Sequence, residues 1–132
     1  MLSMKNSGNI TIPANCDVWP HELRTARALA ADGRSVTFVR RIGGNRVRTP
    51  DIQMDGVLWE MKCPETGNVR SLQRVLRRAA TQSPNVIIDS SRMRGASDAD
   101  VEHELRRLLP FVGRVRRLLF VSKSRQIIDL TS

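Results

Sequence analysis

Cysteine, aromatic side chains and long apolar runs are all scarce in this 132-residue chain. Cys16 and Cys63 are too few for a disulfide framework and fit a reducing compartment. Neither they nor His21 and His103 show CxxC or HxxxH spacing, so no zinc cluster is expected. No paired base is visible beside a cysteine or serine, which argues against a nucleophile of that kind. Tyrosine is absent, and two Trp and three Phe are the whole aromatic complement. Stacking of bases on aromatic platforms is therefore not expected. No apolar run approaches the roughly 20 residues needed to cross a bilayer, so no membrane association is expected. Met1 to Ala14 hold one lysine and no long apolar stretch, unlike a secretory signal. Neither GxxxxGK[ST] nor GxGxxG occurs, which leaves nucleoside-triphosphate and dinucleotide chemistry without a cradle.

What is present is a globular balance, 40% hydrophobic and 27% charged, in about one domain's length of chain. Twenty-two Lys and Arg against thirteen Asp and Glu leave a net charge of +9, and nineteen of those cations are arginine. That excess favours a polyanionic partner, and a guanidinium can grip phosphate through two parallel hydrogen bonds. Residues 1–15 are expected to be loosely held and 16–132 to form one domain. Pro20 opens a helix that runs through Ala31, with Leu23, Ala26 and Ala30 on one side and Gly33 as its stop. Ser35 to Arg41 alternates like a strand, and Gly43-Gly44-Asn45 marks a loop. Leu72, Val75, Leu76, Ala79 and Ala80 predict a second helix, and Val86 to Asp89 a buried strand. Ser97 and Asp100 resemble a capping pair opening a third helix that Pro110 ends. Leu118–Val121 and Gln126–Leu130 predict a closing hairpin. The order α-β-β-β-α-β-α-β-β describes a mixed α/β domain with helices covering a mixed sheet.

The segment from Asp51 to Lys62 carries the chemistry. Asp55-Gly56 between two alternating runs predicts a type I′ hairpin, which needs positive φ at both turn residues. Met54 then faces Val57, Gln53 faces Leu58, Ile52 faces Trp59, and Asp51 faces Glu60. One side collects Ile52, Met54, Val57, Trp59 and Met61. The other collects Asp51, Gln53, Leu58, Glu60 and Lys62, expected on an exposed side of the sheet. Directly opposed carboxylates, with Cβ atoms roughly 4.5–5.5 Å apart, destabilise a sheet unless something offsets them. A divalent cation does so naturally, since magnesium is usually held by one or two carboxylates plus phosphate and water. Lys62 is placed to steady a phosphate or an attacking water. The three residues could hydrolyse a phosphodiester with metal assistance, or be a solvated face held by salt bridges.

Pro50-Asp51 followed by Glu60-Met61-Lys62 resembles the PD-(D/E)XK pattern of restriction-endonuclease-like nucleases, whose shared core is α-β-β-β-α-β. With Glu22, Thr49, Trp59, Thr81-Gln82-Ser83 and Val86-Ile87-Ile88-Asp89, the stretch from about 20 to 130 is similar to one subfamily. These are the C-terminal tRNA-nuclease domains of bacterial contact-dependent growth inhibition toxins. The resemblance implies a metal-dependent endoribonuclease acting on tRNA in the cytoplasm of a target cell, with a cognate immunity protein as partner. It implies Asp51, Glu60 and Lys62 as catalytic core, Asp51 and Glu60 as ligands of Mg²⁺, Mn²⁺ or Zn²⁺, and Glu22 as an additional acid. It also suggests Gln82 as a contact to substrate or site, and Thr49 could hydrogen-bond near the site.

Each has an ordinary alternative. Glu22 could be a first-turn acid favoured by the helix dipole, Gln82 a polar helix end, Thr49 a strand-edge residue, and Asp55 belongs to the turn. Arg70, Arg74, Arg77 and Arg78, with Arg116 and Arg117, could track a nucleic-acid backbone or form a solvated face. Recognition by shape and backbone of a folded RNA is expected. A DNA endonuclease of the same fold (resolvase or repair type) and a non-catalytic basic nucleic-acid-binding module are the rivals.

Overall fold

The computed structural model describes residues 6–39 and 51–131. Thr49, Pro50 and the Gly43-Gly44-Asn45 stretch lie outside them. The elements run β1 (Ile10–Thr11), α1 (Pro20–Ala31), β2 (Val36–Phe38), β3 (Ile52–Met54), β4 (Val57–Lys62), α2 (Leu72–Ala80), β5 (Asn85–Asp89), α3 (Asp98–Leu108), β6 (Arg117–Val121) and β7 (Ile127–Asp129). The expected α-β-β-β-α-β-α-β-β order is present, preceded by a two-residue strand inside the segment expected to be loose. The seven strands form one curled mixed sheet in sequence order. The pairs β1–β2, β4–β5 and β5–β6 are parallel, and the other three are antiparallel.

The hairpin is the one the turn residues predict. Asp55 and Gly56 both have positive φ, 55° and 78°, and Ile52 pairs with Trp59, Gln53 with Leu58 and Met54 with Val57. This register fixes which residues each face buries. One face packs Ile52, Met54, Trp59 and Met61 with Ile87, Leu119 and Val121 beneath Ala26 and Leu29 of α1. The other packs Val86, Ile88, Leu118 and Phe120 beneath Leu72, Leu76 and Ala79 of α2 and Val101, Leu105 and Leu108 of α3. Two apolar layers on one sheet explain why β5 and β6 read as continuous hydrophobic runs.

Helix α1 departs from expectation in detail. Its buried positions are Glu22, Thr25, Ala26, Ala28, Leu29 and Ala30, and Leu23 is only half-buried. Two polar residues thus occupy the inward stripe that Leu23 was expected to head. Tertiary partners outweigh apolar periodicity here: Thr25 reaches a buried carboxylate, and the Glu22 carboxylate accepts the Trp19 backbone N–H at 2.9 Å, closing the helix start. Ser97 caps α3, accepting the Asp100 backbone N–H at 3.1 Å.

Candidate nucleic-acid cleavage site

The paired register ends at Ile52 and Trp59, and Asp51 lies just beyond it with its charge acting on Glu60. The Asp51 N–H donates to Trp59 O at 3.0 Å, and Asp51 Oδ2 accepts the Met61 N–H at 2.9 Å. Both acids are buried, at 7% and 2% exposure, which corrects the expectation that they lie exposed, while Gln53 and Leu58 of the same face are exposed as expected. The cause is the layer above the acids: Glu60 pairs with Val86 and Lys62 with Ile88, two residues of the core that α2 and α3 cover.

Lys62 Nζ meets Glu60 Oε2 at 3.0 Å. Burial first, and then the charge of Asp51, push the Glu60 carboxyl up to about 8 against the pull of Lys62. Glu60 Oε1 is buried without a hydrogen-bond partner among the described residues. An unpartnered buried carboxylate oxygen costs on the order of 1–3 kcal/mol, and an oxygen-seeking cation would use it. The donor set therefore fits a divalent metal. Among the described residues, no three His, Cys, Asp or Glu side chains form a ready-made cage, so the protein would offer two carboxylates and leave other positions to water and phosphate.

Lys62 also lines the floor of a groove of about 780 Å³ whose walls are Arg70, Gln73, Arg74, Arg77, Arg78, Thr81 and Gln82. The helix period builds this wall. Leu72, Leu76 and Ala79 turn inward, and the four arginines are exposed. Among the described residues none of the four is held in an ion pair, unlike Arg34, Arg106, Arg107 and Arg125. Ser83 fastens the following loop to β4, its hydroxyl donating to Leu58 O at 2.9 Å, and so sets Gln82 at the groove's edge.

Five of the nominated side chains besides Lys62 thus come together: Arg70, Arg74, Arg77, Arg78 and Gln82. Arg116 is exposed and does not line the groove. Arg117 points to the other side of the sheet, its guanidinium 4.8 Å above the Trp59 ring. Glu22 belongs to α1, which packs on that same opposite side. Thr49 lies outside the described residues.

A polar cluster on the α1 side was not anticipated. Fully buried Asp89 accepts two hydrogen bonds from Arg125, at 2.8 and 3.0 Å, one from Thr25 at 2.6 Å and one from the Ser91 N–H at 2.8 Å. Burial alone would raise its carboxyl, but these donors outweigh it and hold Asp89 below the usual aspartate range. The sequence hint was an acid ending an otherwise apolar buried strand. Burial also pushes the Cys63 thiol up, away from a reactive thiolate.

Comparison with known proteins adds two findings. The contact-dependent growth inhibition CdiA C-terminal domain family matches residues 48–127. A solved structure of a CdiA-CT/CdiI toxin and immunity complex from Burkholderia pseudomallei shares the fold with a TM-score of 0.65 at 19% identity, over 92% of this chain and 98% of that one. Among curated proteins, none matches the chain.

Proposed function

The chain belongs to the contact-dependent growth inhibition CdiA C-terminal domain family, a toxin domain, and from that premise we propose that it kills as a metal-dependent endoribonuclease of the PD-(D/E)XK kind, cutting tRNA. The observation that supports this best is the continuity of Lys62, which touches Glu60 of the buried acid pair and also lines the arginine groove. An acid pair alone is a salt-bridge site and an arginine groove alone is a phosphate track. Joined through one ammonium, they are what phosphodiester hydrolysis requires.

Asp51 and Glu60 would hold the divalent ion, magnesium in the first instance, with manganese or zinc able to substitute. When bound, such an ion polarises a phosphoryl oxygen and lowers the pKa of a coordinated water. Lys62 then steadies the nucleophilic water or the phosphate as negative charge builds. Arg70, Arg74, Arg77 and Arg78 bind flanking phosphates and fix the strand, and Gln82 contributes an amide at the groove's edge. Glu22, whose carboxylate accepts the Trp19 N–H at the start of α1, is the additional acid that the resemblance implies.

The neighbouring fold was solved with an immunity protein, and a groove this basic suits one whose acidic surface plugs it. The domain would act in the cytoplasm of the cell that receives it. Purified protein incubated with tRNA, duplex DNA and branched DNA tests the reading, with Mg²⁺, Mn²⁺, Zn²⁺ or EDTA. Cleavage of tRNA in metal, abolished by EDTA and by Asp51→Ala or Lys62→Ala, is expected. Cleavage of DNA with tRNA intact would hand the site to a DNA endonuclease. Binding without cleavage in any metal would leave a basic binding module.

A further inference from the structure

Of the five aromatic side chains, Phe38, Trp59 and Phe120 are buried, while Trp19 and Phe111 are 62% and 67% exposed. Trp19 precedes α1, on the far side of the sheet from the arginine groove. Phe111 ends a 3-10 turn, Leu109–Phe111, that follows α3. It lines a pocket of about 340 Å³ with Arg77, Ala80, Thr81, Gly113 and Arg114. Arg77 and Thr81 belong to both this pocket and the arginine groove, so the two concavities adjoin along the last turn of α2.

We infer that Phe111 is a stacking platform for one unpaired nucleobase of the RNA whose phosphates the α2 arginines hold. This rests on the nucleic-acid reading of the groove and deepens it. Pro110 and the 3-10 turn fix the backbone under the ring, so little freedom remains to be lost when a base settles on it. Arg77 and Arg114 line the same pocket as the ring and can meet the phosphates or sugar beside that base. A paired base keeps its faces inside the helix, whereas any unpaired base offers a π-face. The substrate class is therefore RNA with an unpaired nucleotide beside the bound phosphates, such as a loop or a single-stranded end, with little demand on base identity. This revises the expectation, drawn from scarce aromatics, of recognition by shape and backbone alone.

Binding in EDTA separates this inference from the chemistry of the acid pair. A single-stranded RNA oligonucleotide carrying one 2-aminopurine and a fully paired RNA duplex serve as probes. Phe111→Ala should weaken the single strand about tenfold, leave the duplex within a factor of two or so, and abolish the 2-aminopurine quenching. Phe111→Trp should restore both affinity and quenching, and Phe111→Leu, apolar but without a ring face, should restore neither. Equal losses on single strand and duplex, full activity of Phe111→Leu, or no loss at all would overturn the stacking role. A wild-type domain that binds and quenches in this way but cleaves no RNA in any metal would sink the nuclease reading and leave the platform standing.

Discussion

Glu60 is the residue at which structure and chemistry meet most tightly. Its carboxyl is pushed up to about 8 by burial and by Asp51, so the metal-free folded chain keeps a proton that the unfolded chain, with an ordinary glutamate, releases near 4.5. Between those values the native state binds more protons than the unfolded state, and stability must fall as pH rises. Urea titrations at pH 5, 6.5 and 8 should show this decline, and Glu60→Gln should flatten it. An equal slope in both proteins would place the proton elsewhere. The same proton opposes a metal. Below about pH 8 an incoming divalent ion has to displace it, so Mg²⁺ affinity should climb by up to about tenfold per pH unit and then level off. Calorimetry in buffers of different ionisation enthalpy should register about one proton released per ion at pH 7 and none at pH 9. Binding with no pH dependence would mean that Glu60 is not a ligand.

At the scale of elements, the parts legible in the sequence are those that short-range chemistry decides. The Asp55-Gly56 turn dictates its own geometry, and with it the pairing of Ile52 with Trp59 that places Asp51 near Glu60. A Cβ added at Gly56 meets nothing within 4 Å, so Gly56→Ala should cost only the strain of its positive φ, about 1–2 kcal/mol. Thermal melts should show that loss without loss of cleavage. What stayed hidden depends on partners far apart in sequence. Burial of the acid pair follows from β4 lying beside β5 under α2, which no local pattern announces. The inward turn of Thr25 makes sense only beside Asp89, 64 residues later, and a strand of two residues such as β1 gives no periodicity to read. The Asp89–Arg125 clamp joins the end of β5 to the turn between β6 and β7. Removing one partner of a buried pair strands the other's charge, so Arg125→Met should destabilise by about 3 kcal/mol. Because Asp89 is held below the ordinary aspartate value, the clamp's contribution is complete above about pH 4 and fades as pH falls. Arg125→Met should therefore lose most of its deficit relative to wild type in strong acid, and an undiminished deficit there would assign it to lost packing.

Across the whole molecule, composition announced a basic protein of net charge +9 but not where the charge points. The fold sorts the arginines. Arg70, Arg74, Arg77 and Arg78 face one groove, whereas Arg117 lies over Trp59 on the opposite side of the sheet, with Asp129 among the charges it acts on. Association with a polyanion releases counterions in proportion to the phosphates contacted, about 0.7–0.9 in the slope of log K against log salt for each contact. Titrating tRNA in EDTA over a range of salt therefore counts arginines by face. Arg74→Gln combined with Arg77→Gln should flatten the slope by about 1.4–1.8, twice the single-contact value. Arg117→Gln should leave the slope unchanged while lowering the melting temperature, because its cation stacks on a core indole. Were Arg117→Gln to flatten the slope as much as an α2 arginine does, the RNA would reach both faces of the sheet. The groove beside the acid pair would then lose its claim to be the track that delivers the scissile phosphate.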